Sequence, residues 1–288
     1  MRYLSVTMSR IISRRRWLAS GAAWIGAPAA RAASATTRIG LTPVFLDDRM
    51  RLLQHWRSYL EPGLGTPVEF VQRGTYGQVM DVLRAGQVQF AWICGYPYVL
   101  HRPHVKLVAV PHWRGRPVYQ SYLIGDAAEP GLDLQRLRGR NFAYSDPLSN
   151  SGFLYMQHLL RSRGHDPARY FARSFFTHSH RHVVEAVAEG LADGGSVDGY
   201  VWETLAELHP NLTGRTRVLQ RSPDFGFPPI VAGARVDAAL VQVFVDALSA
   251  MPRHADGRGV LAELRLDRFG PADDRLFDGI AAMARAQA

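Results

Sequence analysis

The chain has 288 residues, 47% hydrophobic and 20% charged, proportions of a soluble globular protein with room for one large or two medium domains. Six of the positive charges behind its net charge of +9 are Arg2, Arg10, Arg14, Arg15, Arg16 and Arg31, with no acidic residue among them. Taking those six from the nine leaves +3 for the body of the chain, and with no Lys/Arg run there, a nucleic-acid reader is excluded.

Residues 1–32 read as a twin-arginine-type signal peptide. Ser13-Arg14-Arg15-Arg16-Trp17-Leu18 resembles the twin-arginine export motif. A mildly apolar stretch follows from Trp17 to Ala30, then the small-x-small site Ala30-Arg31-Ala32 ahead of Ala33. The expectation is export to the periplasm with cleavage near Ala32/Ala33. The stretch is too short and too rich in Gly and Ala to act as a permanent anchor.

From Arg38 onward, strand-like and helix-like segments alternate, which predicts an α/β fold. Arg38–Thr42 is a predicted strand ended by Pro43, and Asp47 and Asp48 are predicted caps for a helix carrying Leu52, Trp56, Tyr59 and Leu60 on one face. Val68–Val71 is a second strand, and Thr75 opens a helix reaching Ala85. Phe90–Cys94 and Lys106–Val110 are the third and fourth strands. The lone cysteine, Cys94, lies in the apolar run of the third and reads as a small core residue without chemistry.

A second set begins near residue 123. Leu132–Leu137 is a predicted short helix, Asn141–Tyr144 a strand, Ser151–Arg163 a helix and Ser174–Phe176 a strand. Val183–Gly190 follows as a helix, Val197–Val201 as a strand and Glu203–Leu208 as a helix. Three helical segments, about 236–251, 257–266 and 273–286, close the chain.

The junction at 145–152 carries the strongest chemical signal. Ser149-Asn150-Ser151-Gly152 follows the breaker Asp146-Pro147 and opens an amphipathic helix. The first turn of a helix exposes backbone N–H groups without internal partners at the positive end of its dipole. Hydroxyl and amide side chains there add donors, the layout of an oxyanion site. A plain Ser-capped helix is the alternative reading of these residues.

Several segments, taken in order, resemble one family: the substrate-binding proteins of phosphate, phosphite and phosphonate ABC importers. They are Gly74-Thr-Tyr76 with Val79–Gly86, Ala91–Val99, Pro117–Ser121, Ser145–Gly152, Phe176–His180, Ala186–Gly190 and Val197-Asp198-Gly199. The resemblance implies a two-lobed type II periplasmic-binding-protein fold with the ligand in the cleft. Lobe one would hold 38–121 plus 226–288 and lobe two 122–225, joined by two crossover strands. It also implies the binding residues Tyr76, Tyr98, Ser149, Asn150, Ser151, His180 and an acid at Glu203. The phenols would donate from one lobe, and His180 would donate to the anion and add charge if protonated.

The chain departs from the family at Asn150, in the second position of the Ser/Thr-rich trio, at Cys94-Gly95-Tyr96-Pro97, and at Trp202-Glu203. The implied function is delivery of a phosphonate- or phosphate-like oxyanion to an ABC permease, by a monomer with only transient membrane-protein contact. A ligand-sensing subunit for a membrane kinase, and a binding protein for another small organic solute, are the alternatives. No cofactor is implied.

Two other chemistries fare poorly. His178, His180 and His182 would share a face on an extended segment. No carboxylate or cysteine stands at convincing ligand spacing beside them, so no metal site is expected. Ser149 and Ser151 lack the G-x-S-x-G elbow and an acid to orient His180, and Gly74 and Gly77 lack the lysine of a phosphate loop. An enzyme is not expected.

Overall fold

The computed structural model describes residues 36–43, 50–271 and 273–287. The signal-peptide reading, the Ala32/Ala33 cleavage point and the Asp47/Asp48 caps lie outside the described residues. Thirteen strands are found among them. In chain order they are β1 (Thr37–Leu41), β2 (Val68–Gln72), β3 (Phe90–Trp92), β4 (Val105–His112), β5 (Val118–Tyr119), β6 (Ser121–Asp126) and β7 (Asn141–Tyr144). There follow β8 (Arg173–Phe176), β9 (Gly194–Asp198), β10 (Thr216–Arg221), β11 (Phe225–Gly226), β12 (Ile230–Gly233) and β13 (Arg268–Gly270).

They form two larger sheets. One runs β13-β4-β12-β3-β1-β2 and the other β10-β6-β9-β7-β8, while β5 and β11 pair by themselves in the connections between them. Within the first sheet β1 is parallel to β2 and β3, and within the second β7 is parallel to β8 and β9. β2, β3, β7, β8 and β9 each feed a helix across a short connection, so the residues just past them collect at the carboxyl ends of the sheets. Open α/β sheets present ligand crevices there.

The first sheet packs around Trp56, fully buried on the helix Met50–Leu64. Its ring lies 5.1 Å from Phe70, 5.9 Å from Trp92 and 6.0 Å from Phe269, centroid to centroid. The second core is built from Phe142, Tyr144 and Phe171 on one face of its sheet and Val183, Val184, Val187 and Val201 on the other. No helix among the described residues is long and apolar enough to cross a membrane.

The observed elements correct several predicted ones. No helix forms over residues 132–137: 132 and 133 are irregular, and turns run over 134–139. The strand expected at Val197–Val201 lies three residues earlier, at Gly194–Asp198, and the helix expected from Glu203 begins at Gly199. Apolar content misled the register, because Val201 points into the core from a helix as readily as from a strand. The bare Gly194-Gly195 pair, which reads as a loop, is strand because there is no room for side chains. A Cβ on Gly195 would stand 2.5 Å from Val183 Cγ1 and one on Gly194 2.7 Å from Leu137 Cδ1.

Trp56→Ala should cost about 3–5 kcal/mol of unfolding free energy in urea titrations, as for a large aromatic removed from a close-packed core. Trp56→Phe should cost much less, because the indole Nε1 is buried without a hydrogen-bond partner and its removal relieves that penalty.

Candidate functional site

The turn after β7 is shaped by its own side chains. Asp146 Oδ1 accepts the Leu148 N–H at 2.8 Å, and Ser149 N–H donates to the Asp146 carbonyl at 2.9 Å. Ser149 then caps the helix, its Oγ accepting the Gly152 N–H at 2.9 Å. The first turn, Asn150–Leu154, is π-helical: Leu154 N–H donates to the Ser149 carbonyl and Tyr155 N–H to that of Asn150. The α-helix Tyr155–Ser162 continues it. A π turn is wider than an α turn and marks functional positions in many helices.

This turn is held from behind. The Ser151 carbonyl accepts hydrogen bonds from Ser121 Oγ at 2.6 Å and Ser196 Oγ at 2.8 Å, on the neighbouring strands β6 and β9. Gly152 allows the close approach: a Cβ there would fall 1.8 Å from Ser145 Oγ and 3.0 Å from His180 Cε1. Ser149, Asn150, Ser151, Ser145 and His180 are all buried, none more than 1% exposed.

His180 begins the helix His180–Ala188 after β8. Its Nδ1 accepts the backbone N–H of Asp198 at 3.0 Å, so the ring proton sits on Nε2. Burial pushes the imidazole pKa down to about 3, and His180 is a neutral donor. That corrects the possibility of an added positive charge. Its Nε2 lies 3.2 Å from Tyr76 Oη and 3.5 Å from Ser149 Oγ.

Tyr76 comes from the first sheet, at the start of the helix Tyr76–Arg84 that Thr75 caps. Its backbone N–H donates to Asp146 Oδ2 at 3.1 Å, tying the loop after β2 to the loop after β7. Asn150 is tied to the first sheet as well: its backbone N–H donates to Cys94 Sγ at 3.3 Å, and Nδ2 to Tyr119 Oη at 3.1 Å.

Five of the seven sequence-predicted residues therefore meet: Tyr76, Ser149, Asn150, Ser151 and His180. Tyr98 and Glu203 do not join them. The Tyr98 hydroxyl donates to Asp274 Oδ1, and its ring packs on Phe277 and under Arg102. It sits one helical turn beyond Cys94, but its hydroxyl and ring are taken by these partners instead. Glu203 is consumed by other partners, accepting from Tyr122 Oη at 2.9 Å and Arg114 Nη2 at 3.2 Å, with Arg221 at 4.0 Å.

The buried acid beside His180 is instead Asp198, which caps the helix Gly199–Leu208 by accepting the Tyr200 and Val201 N–H groups at 2.8 and 3.3 Å. Burial raises its pKa to about 7 against the lowering effect of those two hydrogen bonds. Sequence reading also passed over Cys94, Tyr119, Asp146, Ser121 and Ser196. A signal for Asp198 existed, an acid directly before a glycine at a strand-to-helix junction, but the three-residue strand shift concealed it.

Three buried oxygens in this segment have no hydrogen-bond partner: Ser145 Oγ, Asn150 Oδ1 and Ser151 Oγ. The Ser151 hydroxyl lies toward Tyr119 without hydrogen-bond geometry. Each unpaired buried polar group costs about 1–3 kcal/mol, so three between residues 145 and 151 mark a place built for a further polar group. Neutral donors, one buried acid and a helix N-terminus suit a protonated oxyanion.

Comparison with known proteins gives the class. Residues 39–277 match the family model for the phosphonate periplasmic substrate-binding protein of ABC transporters, and the chain belongs to that family. A phosphate-import protein, PhnD, of Mycolicibacterium smegmatis is 27% identical over 176 residues, which span 57% of this chain and 55% of the relative. This chain thus spans only about half the length of that relative.

Among solved structures, the binding component of an ABC phosphonate transporter from Pseudomonas aeruginosa superposes with a TM-score of 0.79 at 20% identity, covering 86% of this chain and 85% of the other. PhnD1 of Prochlorococcus marinus, in complex with methylphosphonate, gives 0.78 at 18% identity, covering 88% and 98%. The fold is the two-lobed, type II periplasmic-binding-protein fold.

Two tests follow from this geometry. Gly152→Ala should destabilise the protein by about 1–3 kcal/mol in denaturant titrations, because the added methyl overpacks the Ser145 contact. The second concerns pH. Between pH 7 and 4 folded Asp198 takes up a proton that the unfolded chain does not, which favours the folded state on acidification and disfavours it as pH rises through 7. The neutral His180 acts oppositely from about pH 6.5 down to 3, where the unfolded chain takes up the proton. Asp198→Asn removes the first effect alone. Relative to wild type, the variant should lose stability from pH 7 toward pH 4 by up to about 1.4 kcal/mol per pH unit, measured by denaturation across pH.

Proposed function

We propose that the chain is an exported solute-binding protein that captures a phosphonate- or phosphate-like oxyanion between two lobes and delivers it to an ABC permease. The observation that carries this reading is the set of unpartnered buried oxygens Ser145 Oγ, Asn150 Oδ1 and Ser151 Oγ around the helix entry, with the neutral Nε2–H of His180 3.5 Å from the neighbouring Ser149 Oγ. Family membership supports the ligand class, as do the phosphate and methylphosphonate named for the relatives. In this reading Ser149, Asn150, Ser151, His180 and Tyr76 bind the ligand. Asp198 takes the part that the family resemblance assigned to Glu203.

The acid sets the protonation state of the cargo. An ionised carboxylate only accepts hydrogen bonds, so it requires a P–OH, whereas a protonated one donates to P–O⁻. Phosphate monoesters lose their second proton near pH 6, so both forms exist at neutral pH. Sulfate has no proton to give and meets the ionised form of Asp198 unfavourably.

Lobe one holds 38–121 plus 226–288 and lobe two 122–225, and ligand closes them about the Tyr119–Leu123 and Ser222–Phe227 connections. The mature protein acts as a monomer in the periplasm after twin-arginine export and cleavage near Ala32/Ala33, on the strength of Arg14-Arg15 and Ala30-Arg31-Ala32.

Isothermal calorimetry with phosphate, methylphosphonate and sulfate tests the reading. At least one phosphorus oxyanion should bind more tightly than sulfate. Ser151→Ala should weaken it by about 1.5–3 kcal/mol, roughly ten- to a hundredfold in affinity. Unchanged affinity in a folded Ser151→Ala protein would remove this turn from the binding site.

A further inference from the structure

The helix Gly199–Leu208, capped by Asp198, carries three further contacts that the oxyanion site does not use. Tyr200, Glu203 and Glu207 are spaced three and four residues apart, so they share one face of the helix. Each bonds to lobe one. The Tyr200 hydroxyl donates to the Leu264 carbonyl, and its buried ring packs edge-on against Trp113 at 5.6 Å and Phe227 at 5.0 Å. Glu203 Oε2 accepts from Arg114 Nη2 at 3.2 Å, and Glu207 Oε2 accepts from Arg265 Nε at 2.8 Å. Glu203 Oε1 meanwhile accepts from Tyr122 Oη, in the connection between the lobes.

The backbone beneath the two arginines is unusual. Among the described residues, only Arg114, His178 and Arg265 combine a side chain with left-handed backbone, at φ 51, 59 and 57°. Two of the three are therefore the partners of this helix face. Such a conformation is unfavourable for a residue with a Cβ, and strain of this kind gathers at clamps and switch regions. Arg114 lies in the tight turn after β4, where Trp113 and Arg116 exchange backbone hydrogen bonds. Arg265 ends the helix Ala255–Leu264. Gly115 N–H donates to Asp267 Oδ2 at 2.6 Å, bracing the two segments against each other.

We propose that Tyr200, Glu203 and Glu207, with Leu264, Arg114 and Arg265, form an interlobe clasp that holds the closed state and so sets ligand affinity without touching the ligand. Tyr76 follows β2, at one edge of the first sheet, whereas Arg114 and Arg265 flank β4 and β13 at the other. β12, which leads out of the second connection, runs between them. A rotation about the connections that parts Tyr76 from Asp146 must press or shear the Tyr200 face against lobe one. Close-packed groups resist compression, and shear breaks directional bonds. Either way the clasp opposes opening, and Glu203 and Glu207 are positioning residues. The inference rests on the two-lobed, oxyanion-binding reading above, and it gives Glu203 a task other than the ligand contact that the family resemblance implied.

The test is calorimetry with methylphosphonate and inorganic phosphate on wild type, Glu203→Gln, Glu207→Arg, Arg265→Glu and the variant carrying the last two together, with thermal melts of each protein. Each single variant should weaken binding by about two- to fivefold, the worth of a partly exposed ion pair, and equally for each anion that wild type binds. Stopped-flow fluorescence should place the loss in the off-rate. The double variant, which restores the pair with its charges exchanged, should recover most of the loss. Long-range charge alone gives a different pattern, because Glu203→Gln and Glu207→Arg make the protein more positive and would tighten anion binding. Unchanged or tighter binding in those two folded variants, or a double variant no better than the single ones, would overturn the clasp while leaving the oxyanion reading intact. If Arg265→Glu does not fold, Glu203→Gln and Glu207→Arg decide. Failure of wild type to bind either anion would overturn the oxyanion reading itself, and this inference with it.

Discussion

Two serine hydroxyls on one carbonyl carry most of the site's architecture. Ser121 and Ser196, on adjacent strands, both donate to the Ser151 carbonyl. A carbonyl has two lone pairs, and filling both locks the peptide that bears it. The first helical turn is thus fixed to the sheet by its back, while the Asn150 side chain reaches Tyr119 Oη. Gly152 makes the arrangement sterically possible, since a side chain would overlap Ser145.

Burial then decides the electrostatics. The Asp198 N–H to His180 Nδ1 bond selects one imidazole tautomer, and desolvation keeps the ring neutral. Asp198 lies on the same backbone segment, and desolvation moves its carboxyl toward neutrality too. An anion entering here meets dipoles and hydrogen-bond donors rather than a fixed cation. The two halves meet through similar bonds, Tyr76 N–H to Asp146 and Asn150 N–H to Cys94, so the groups that would hold a ligand also hold the halves together.

How much was legible in advance depended on how local each feature is. The Ser149–Gly152 turn could be read because capping is a property of a few consecutive residues, and Thr75 capping the Tyr76 helix was readable for the same reason. His180 and Tyr76 came from ordered motif resemblance. Tyr98 and Glu203 did not join the cluster, because a residue's place in a motif does not specify which way a helix turns it. One turn of helix carries Tyr98 to Asp274 and Phe277, and two arginines and a phenol claim Glu203.

By itself the sequence determined the alternation of strands and helices, the capped turn at Ser149 and the family, all consequences of short-range pattern and composition. Only the tertiary structure decided that Asn150 is bonded to Cys94 and Tyr119, that Asp198 is the buried acid and that His180 is uncharged. Those facts depend on contacts between residues 18 to 56 positions apart and on the exclusion of water from the space they enclose. Neither the contact nor the desolvation is a property of any one segment, so no local pattern encodes it.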